Sequence, residues 1–227
     1  YYPNFYKRKI FTLNLCNLKN TFALTALSLF ISVCTLAQET VNDDNPSGTF
    51  SLGTRNTISM FNEDDAIGKG IGGQFRIQFN KRMNSEWYFD YITSKNEPYT
   101  NRNDYHIGWS VMLYPKNNYS FDRLLQPYLI AGHCFDYSKI TELGNKSNAA
   151  DRLSMATQAG VGTHINITRK LDCSISSQYM LHFGKDIETA VNGDDVIIEK
   201  QDHSHADGHL LFSLSFNYKF FKLWGNK

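Results

Sequence analysis

The stretch "HLLFSLSFNYKF", His209–Phe220, alternates two kinds of side chain almost without error. Leu210, Phe212, Leu214, Phe216, Tyr218 and Phe220 fall on one side, and His209, Leu211, Ser213, Ser215, Asn217 and Lys219 on the other. A period of two marks a strand whose faces meet different surroundings. Periodicity alone does not say whether the apolar face meets a protein core or a bilayer.

The same pattern recurs upstream. In "IGGQFRIQF" Ile71, Gly73, Phe75, Ile77 and Phe79 alternate with Gly72, Gln74, Arg76 and Gln78. "EWYFDYIT" sets Trp87, Phe89 and Tyr91 against Tyr88, Asp90 and Ile92, and "YHIGWSVML" sets Ile107, Trp109 and Val111 against His106, Gly108 and Ser110. "DCSISSQYML" continues it around Asp172. Strands are expected over 48–61, 70–80, 85–94, 104–114, 126–139, 153–167, 171–183 and 206–221, with no helix between them.

Volume decides which way the faces point. The interior of an eight-stranded barrel is just filled by side chains or holds one small ligand. It has no room for Phe75, Ile77, Phe79, Trp87, Phe89, Tyr91, Trp109, Phe212, Phe216 and Phe220 together, so these are assigned to lipid. The opposite face then carries Arg55, Gln74, Arg76, Gln78, Asp90 and Asp172 into the lumen, where arginines pair with carboxylates and eight strands leave no open channel. Tyr88, Tyr105, Tyr114, Tyr128, Tyr179 and Tyr218, near strand ends, are expected to form interfacial girdles, and Asn56 to lie near a rim. Closure also satisfies the backbone, since in hydrocarbon every amide needs a partner within the protein.

The connections sort in the way such a barrel requires. "NKRMN" and "TRK" are short and basic, whereas "NEDDAIGK", "SKNEPYTNRN", "KITELGNKSNAAD" and the segment 185–207 are longer and more acidic. Short turns at one mouth and long loops at the other describe an outer-membrane barrel.

The N-terminal region reads as an export signal. Lys7, Arg8, Lys9 and Lys19 precede the uncharged run "TFALTALSLFISVCTLA", which ends on small residues, so cleavage is expected after Ala37. The organisation expected is a signal peptide over 1–37, a polar linker over 38–47, a barrel over 48–221 and a tail over 222–227. Removing the signal leaves 19 of 23 basic residues against all 22 acidic ones, a net charge of about −3, which argues against a nucleic-acid partner. Cys134 and Cys173 remain, two strands apart, and are expected as buried or lipid-facing thiols rather than a disulfide.

"GHLLFSLSFNYKF" and "LQPYLIAGHCF" (Leu125–Phe135) resemble the aromatic-ended terminal strand and the P-Y-L-x-x-G strand opening of the small OmpA- and OmpX-like outer-membrane β-barrel proteins of diderm bacteria. The resemblance covers most of the chain after Ala37. It implies an all-β, eight-stranded, antiparallel, up-and-down transmembrane barrel in a bacterial outer membrane. The partners implied are outer-membrane lipid and lipopolysaccharide, and the barrel insertion machinery during biogenesis.

Chemistry is sparse. His203, His205 and His209, with Asp202 and Asp207, could bind zinc or copper, but their spacing matches no ligand signature, and a polar loop near the rim of the last strand is the reading adopted. No cofactor is expected. A lipid A-modifying enzyme would place a His-x-Ser on a lipid-facing strand, and His203-Ser204-His205 lies in an expected loop. The function expected is structural or surface-interacting, with 184–207 as the contact region for an extracellular ligand. The alternatives are a narrow porin-like channel, that enzyme, and a soluble lipocalin-like barrel.

Overall fold

The alternating segments pair in chain order into one closed antiparallel sheet. A computed structural model describes residues 45–61, 67–96, 99–115, 119–192 and 195–224, with the side chains at 61, 96, 186, 191–192 and 201–207 excepted. The expected signal peptide and most of the expected linker lie outside the described residues.

The strands are β1 (Thr49–Phe61), β2 (Ile67–Gln78), β3 (Met83–Asn96), β4 (Thr100–Leu113), β5 (Leu125–Glu142), β6 (Ala149–Asn166), β7 (Leu171–Asn192) and β8 (Asp195–Lys222). Each expected strand is present. Closure is made by β1 against β8, in a register that sets Arg55 opposite Ser215 and Ile58 opposite Phe212. Because β8 closes on β1, the sheet leaves no unpaired edge along the closed wall, which is the condition for a sheet to cross hydrocarbon.

Strand length is uneven. β1–β4 run 12–14 residues, against 18 for β5 and β6, 22 for β7 and 28 for β8. A spanning strand needs about 9–11 residues, so β5–β8 outrun a bilayer. The segment 184–207, expected as a loop, is mostly strand: β7 and β8 stay paired up to Asn192 opposite Asp195. The overlooked signal was "AVNGDDVII", in which a two-residue Gly-Asp link between Asn192 and Asp195 joins runs holding Val191 and Val196, a hairpin cue.

The barrel is apolar outside and polar inside. Leu52, Ile71, Trp87, Phe89, Ile107, Leu129, Phe135, Val161, Phe212 and Phe216 are exposed on the wall, while Arg55, Gln74, Glu86, Asp90 and Asn217 are buried. Outward-facing rings, exposed or half-buried against one another, form a band that crosses six strands, stacked except for the edge-on Trp109–His133 contact. Phe221–Phe50, Phe50–Phe75, Phe75–Trp87, Trp87–Trp109 and Trp109–His133 have ring centroids 5.2, 6.0, 5.9, 6.1 and 5.3 Å apart. A second band joins Tyr91, Tyr105 and Tyr137 at 5.0 and 6.1 Å. Continuous exposed apolar surface of this extent faces a nonpolar solvent, not water.

Three expectations are corrected. Phe220 is 5% exposed and does not face lipid, whereas Phe221 is 48% exposed. The β1–β8 register shifts there, pairing Phe50 with Phe221 and Ser51 with Lys219, and the extra residue, Phe220, is covered, its ring edge-on to Tyr218 at 5.0 Å. Tyr88, Tyr114 and Tyr128 are lumenal, not interfacial. A Cβ at Gly108 would strike the Tyr88 hydroxyl, and one at Gly162 the Tyr128 ring, so glycine on the neighbouring strand makes the space each inward tyrosine fills. Finally, Asn56 is exposed in the middle of β1, between Ile71 and Leu214, rather than near a rim.

Candidate functional site

The alternation turns one polar side chain inward every second residue, and closure of the barrel then crowds these groups together. With the apolar side chains that also turn inward, they form three layers. Nearest the short turns is a buried ion-pair network. Arg76 Nε donates to Glu86 Oε2 at 2.8 Å and its Nη1 to Asp172 Oδ1 at 3.2 Å. Lys219 Nζ lies 3.3 Å from Asp172 Oδ2. Arg55 Nη1 donates to Glu86 Oε1 and Arg55 Nε to Asp90 Oδ2, both at 2.8 Å. Glu86 therefore joins the two arginines, and the Arg55 guanidinium also lies over the Tyr88 ring, 4.2 Å from its centroid. Three cations meet three carboxylates, so the layer is neutral as a whole.

Amides and hydroxyls complete it. Gln74 Nε2 donates to Asn217 Oδ1 at 2.7 Å, and Asn217 Nδ2 to Asp172 Oδ1 at 3.1 Å. His164 lies between the Tyr114 hydroxyl at 2.9 Å and Ser174 Oγ at 2.6 Å. Gln78 Nε2 donates to the Asn80 carbonyl at 2.6 Å and closes the turn end. A cavity beside Arg76, His164 and Lys219 has room for about one water molecule.

The middle layer is apolar: Tyr88, Ile92, Cys134, Ala156, Met180 and Leu211 touch across the lumen. Cys134 Sγ is 3.7 Å from Met180 Sδ, and both described cysteines are free thiols.

One residue pair further along β5, β7 and β8 comes a histidine layer. His106 Nε2 lies 3.2 Å from Asp136 Oδ1, and His182 Nδ1 lies 3.3 Å from Asp136 Oδ2. Ser138 Oγ donates to the same Oδ2 at 3.1 Å. The His209 ring stacks on His182 at 4.8 Å and on His106 at 6.2 Å. One carboxylate thus orients two imidazoles, and a third ring packs on both. Replacing Asp136 by Asn is expected to lower unfolding stability in detergent by about 1–3 kcal/mol, the cost of leaving buried polar groups poorly paired. A melt followed by circular dichroism reads this, and an unchanged midpoint would contradict the arrangement.

Arg55, Gln74, Arg76, Gln78, Asp90 and Asp172 are all buried in the lumen; five belong directly to the ion-pair network, and Gln78 joins it through the Tyr114 hydroxyl, which donates to Gln78 Oε1 at 3.5 Å and meets His164. Phe79, Trp87, Phe89, Phe212 and Phe216 are exposed on the wall; Phe75, Ile77, Tyr91 and Trp109 are half-buried among their neighbours there. His209, expected near a loop and a rim, is inside the barrel. The side chains of His203 and His205 lie outside those described. Among the described residues no three His, Cys, Asp or Glu side chains stand in a metal-holding arrangement.

Sequence reasoning missed Glu86, although the alternation through Tyr88 and Asp90 puts it on the inner face. It also missed the gathering of His106, His182 and His209, for which no local signal exists.

No protein-family model matches the chain, and no curated protein matches it by sequence. Solved structures do match. Neisserial surface protein A is 15% identical with a TM-score of 0.54, over 77% of this chain and 98% of that one. A major outer membrane protein from Thermus thermophilus is 8% identical with a TM-score of 0.51, over 76% of this chain and 98% of that one. Identity this low speaks for architecture alone, and the wall and lumen described above agree with it: the chain has the fold of the small eight-stranded outer-membrane β-barrels.

Proposed function

We propose that this protein is a bacterial outer-membrane barrel with a structural or surface-interacting role, and that it conducts no solute. The observation that carries the reading is the layered lumen. A neutral ion-pair network, an apolar layer and a histidine layer fill the barrel in succession, and an ion following the axis would have to displace all three. Burying the charges in a connected network avoids leaving any of them unpaired, the outcome that costs most.

The membrane placement is supported by the outward-facing aromatic band and by closure of the sheet. Lipid, lipopolysaccharide and the insertion machinery are the partners this placement implies. A surface role would be carried by the long β7–β8 hairpin, whose outer part, including Glu188, Asp195, Ile197 and Glu199, is exposed beyond the reach of β1–β4.

Planar-bilayer recording of the refolded protein tests the sealed lumen. No stepwise conductance above the lipid background is expected at either polarity. Stable, voltage-independent steps in the wild-type protein would overturn the reading and favour a channel.

A further inference from the structure

The short-turn end carries a feature that the lumen does not explain. Between β2 and β3, the turn Asn80–Arg82 is held by its backbone. Asn80 Oδ1 accepts from the Arg82 amide at 2.7 Å, the Tyr114 amide donates to the Arg82 carbonyl at 2.8 Å, and the Tyr119 amide donates to the Lys81 carbonyl at 3.2 Å. With both carbonyls used inward, the side chains of Lys81 and Arg82 are exposed, and neither has an acidic partner among the described residues. Directly against this turn is an open groove of about 440 Å³ in the outer wall, lined by Met83, Leu113, Pro115 and Leu129 with Arg82 and Asn80 at its end.

We infer that this groove is a binding site for one phosphate-bearing membrane lipid, with an acyl chain along Met83, Leu113 and Leu129 and the headgroup phosphate at Arg82, which lines the groove, next to Lys81 in the same turn. The two halves of the site match the two halves of such a molecule. Leu113 and Leu129 are exposed to the hydrocarbon side of the wall, and Arg82, with Lys81 before it in the chain, sits where strand gives way to turn, at headgroup level. A guanidinium grips phosphate oxygens bidentately, and lysine adds a point charge. The ordered turn loses little further entropy on binding, because its backbone is already fixed.

The inference rests on the membrane placement proposed above, and the test separates the two. The full chain is purified in a neutral detergent, delipidated and titrated with phosphatidylglycerol, or with diacylglycerol bearing the same tails, while bound lipid is counted by native mass spectrometry. Retention of phosphatidylglycerol over diacylglycerol is expected. The double variant Lys81→Gln, Arg82→Gln should bind phosphatidylglycerol roughly 30-fold more weakly, as expected for removing two cations at an anionic headgroup. Leu129→Trp, which fills the groove and keeps the charges, should also weaken binding. Both variants alter exposed side chains, and heat-modifiable migration on a gel reads the fold of each. Equal retention of the two lipids, or wild-type affinity in the double variant, would overturn the site. A chain that stays soluble and monodisperse without detergent would instead remove the membrane placement.

Discussion

Glu86→Ala is expected to prevent the barrel from reaching its folded, fast-migrating form, or to lower its unfolding midpoint more than any other single lumenal substitution. Both carboxylate oxygens are in use, Oε1 with Arg55 and Oε2 with Arg76, each at 2.8 Å, and all three side chains are buried. Removing the carboxylate leaves three cations facing two anions in the network. Breaking one buried pair costs about 3–5 kcal/mol, because the remaining charge stays desolvated. Here one deletion breaks two pairs, although Asp90 still meets Arg55 and Asp172 still meets Arg76, so the costs will not simply add. Against a total stability of about 5–15 kcal/mol, the loss is large. Glu86→Gln keeps the volume and one acceptor and should fall between. Urea unfolding followed by intrinsic fluorescence measures both variants; a Glu86→Ala barrel as stable as wild type would show that the network does not hold the strands together.

The second large effect concerns the wall. Ile107 is 60% exposed at the centre of β4, paired with Phe89 on one side and Phe135 on the other. In hydrocarbon, arginine at mid-height of a barrel's outer face costs about 2–4 kcal/mol, falling to about 0–1 kcal/mol near the interfaces. Ile107→Arg is therefore expected to destabilise the barrel strongly in lipid vesicles. Leu143→Arg, an equally apolar-to-charged change at the exposed β5–β6 connection, should be nearly neutral. For a soluble barrel the order would vanish, since replacing an exposed isoleucine with arginine in water is harmless or helpful. Equilibrium unfolding of the two variants in vesicles distinguishes the cases, and equal stabilities would refute a lipid-facing wall.

Much of the architecture is legible in the chain itself. Strand count follows from the alternation, and the aromatic volume on one face of β2, β3, β4 and β8 excludes a core inside so narrow a barrel. The strand ends are less legible. In β7 and β8 the alternation weakens beyond Phe183, and the run of polar residues around His203 reads as loop; pairing between the two strands, not the composition of either, keeps them extended out to Asn192 and Asp195. Phe220 shows a similar limit. Its place in the alternation is right for lipid, but the register shift opposite Phe50 hands that place to Phe221.

By itself, then, the sequence determined that eight strands exist and which side chains of each lie on the apolar face, because a period of two is a local property of an extended chain. Only the tertiary structure decided which inward groups meet. Glu86 joins Arg55 to Arg76, and Asp136 gathers His106 and His182 beside His209, through a register and a closure that bring together residues up to about a hundred positions apart. That juxtaposition leaves no mark in any single stretch of chain, since each strand carries only its own half of every contact.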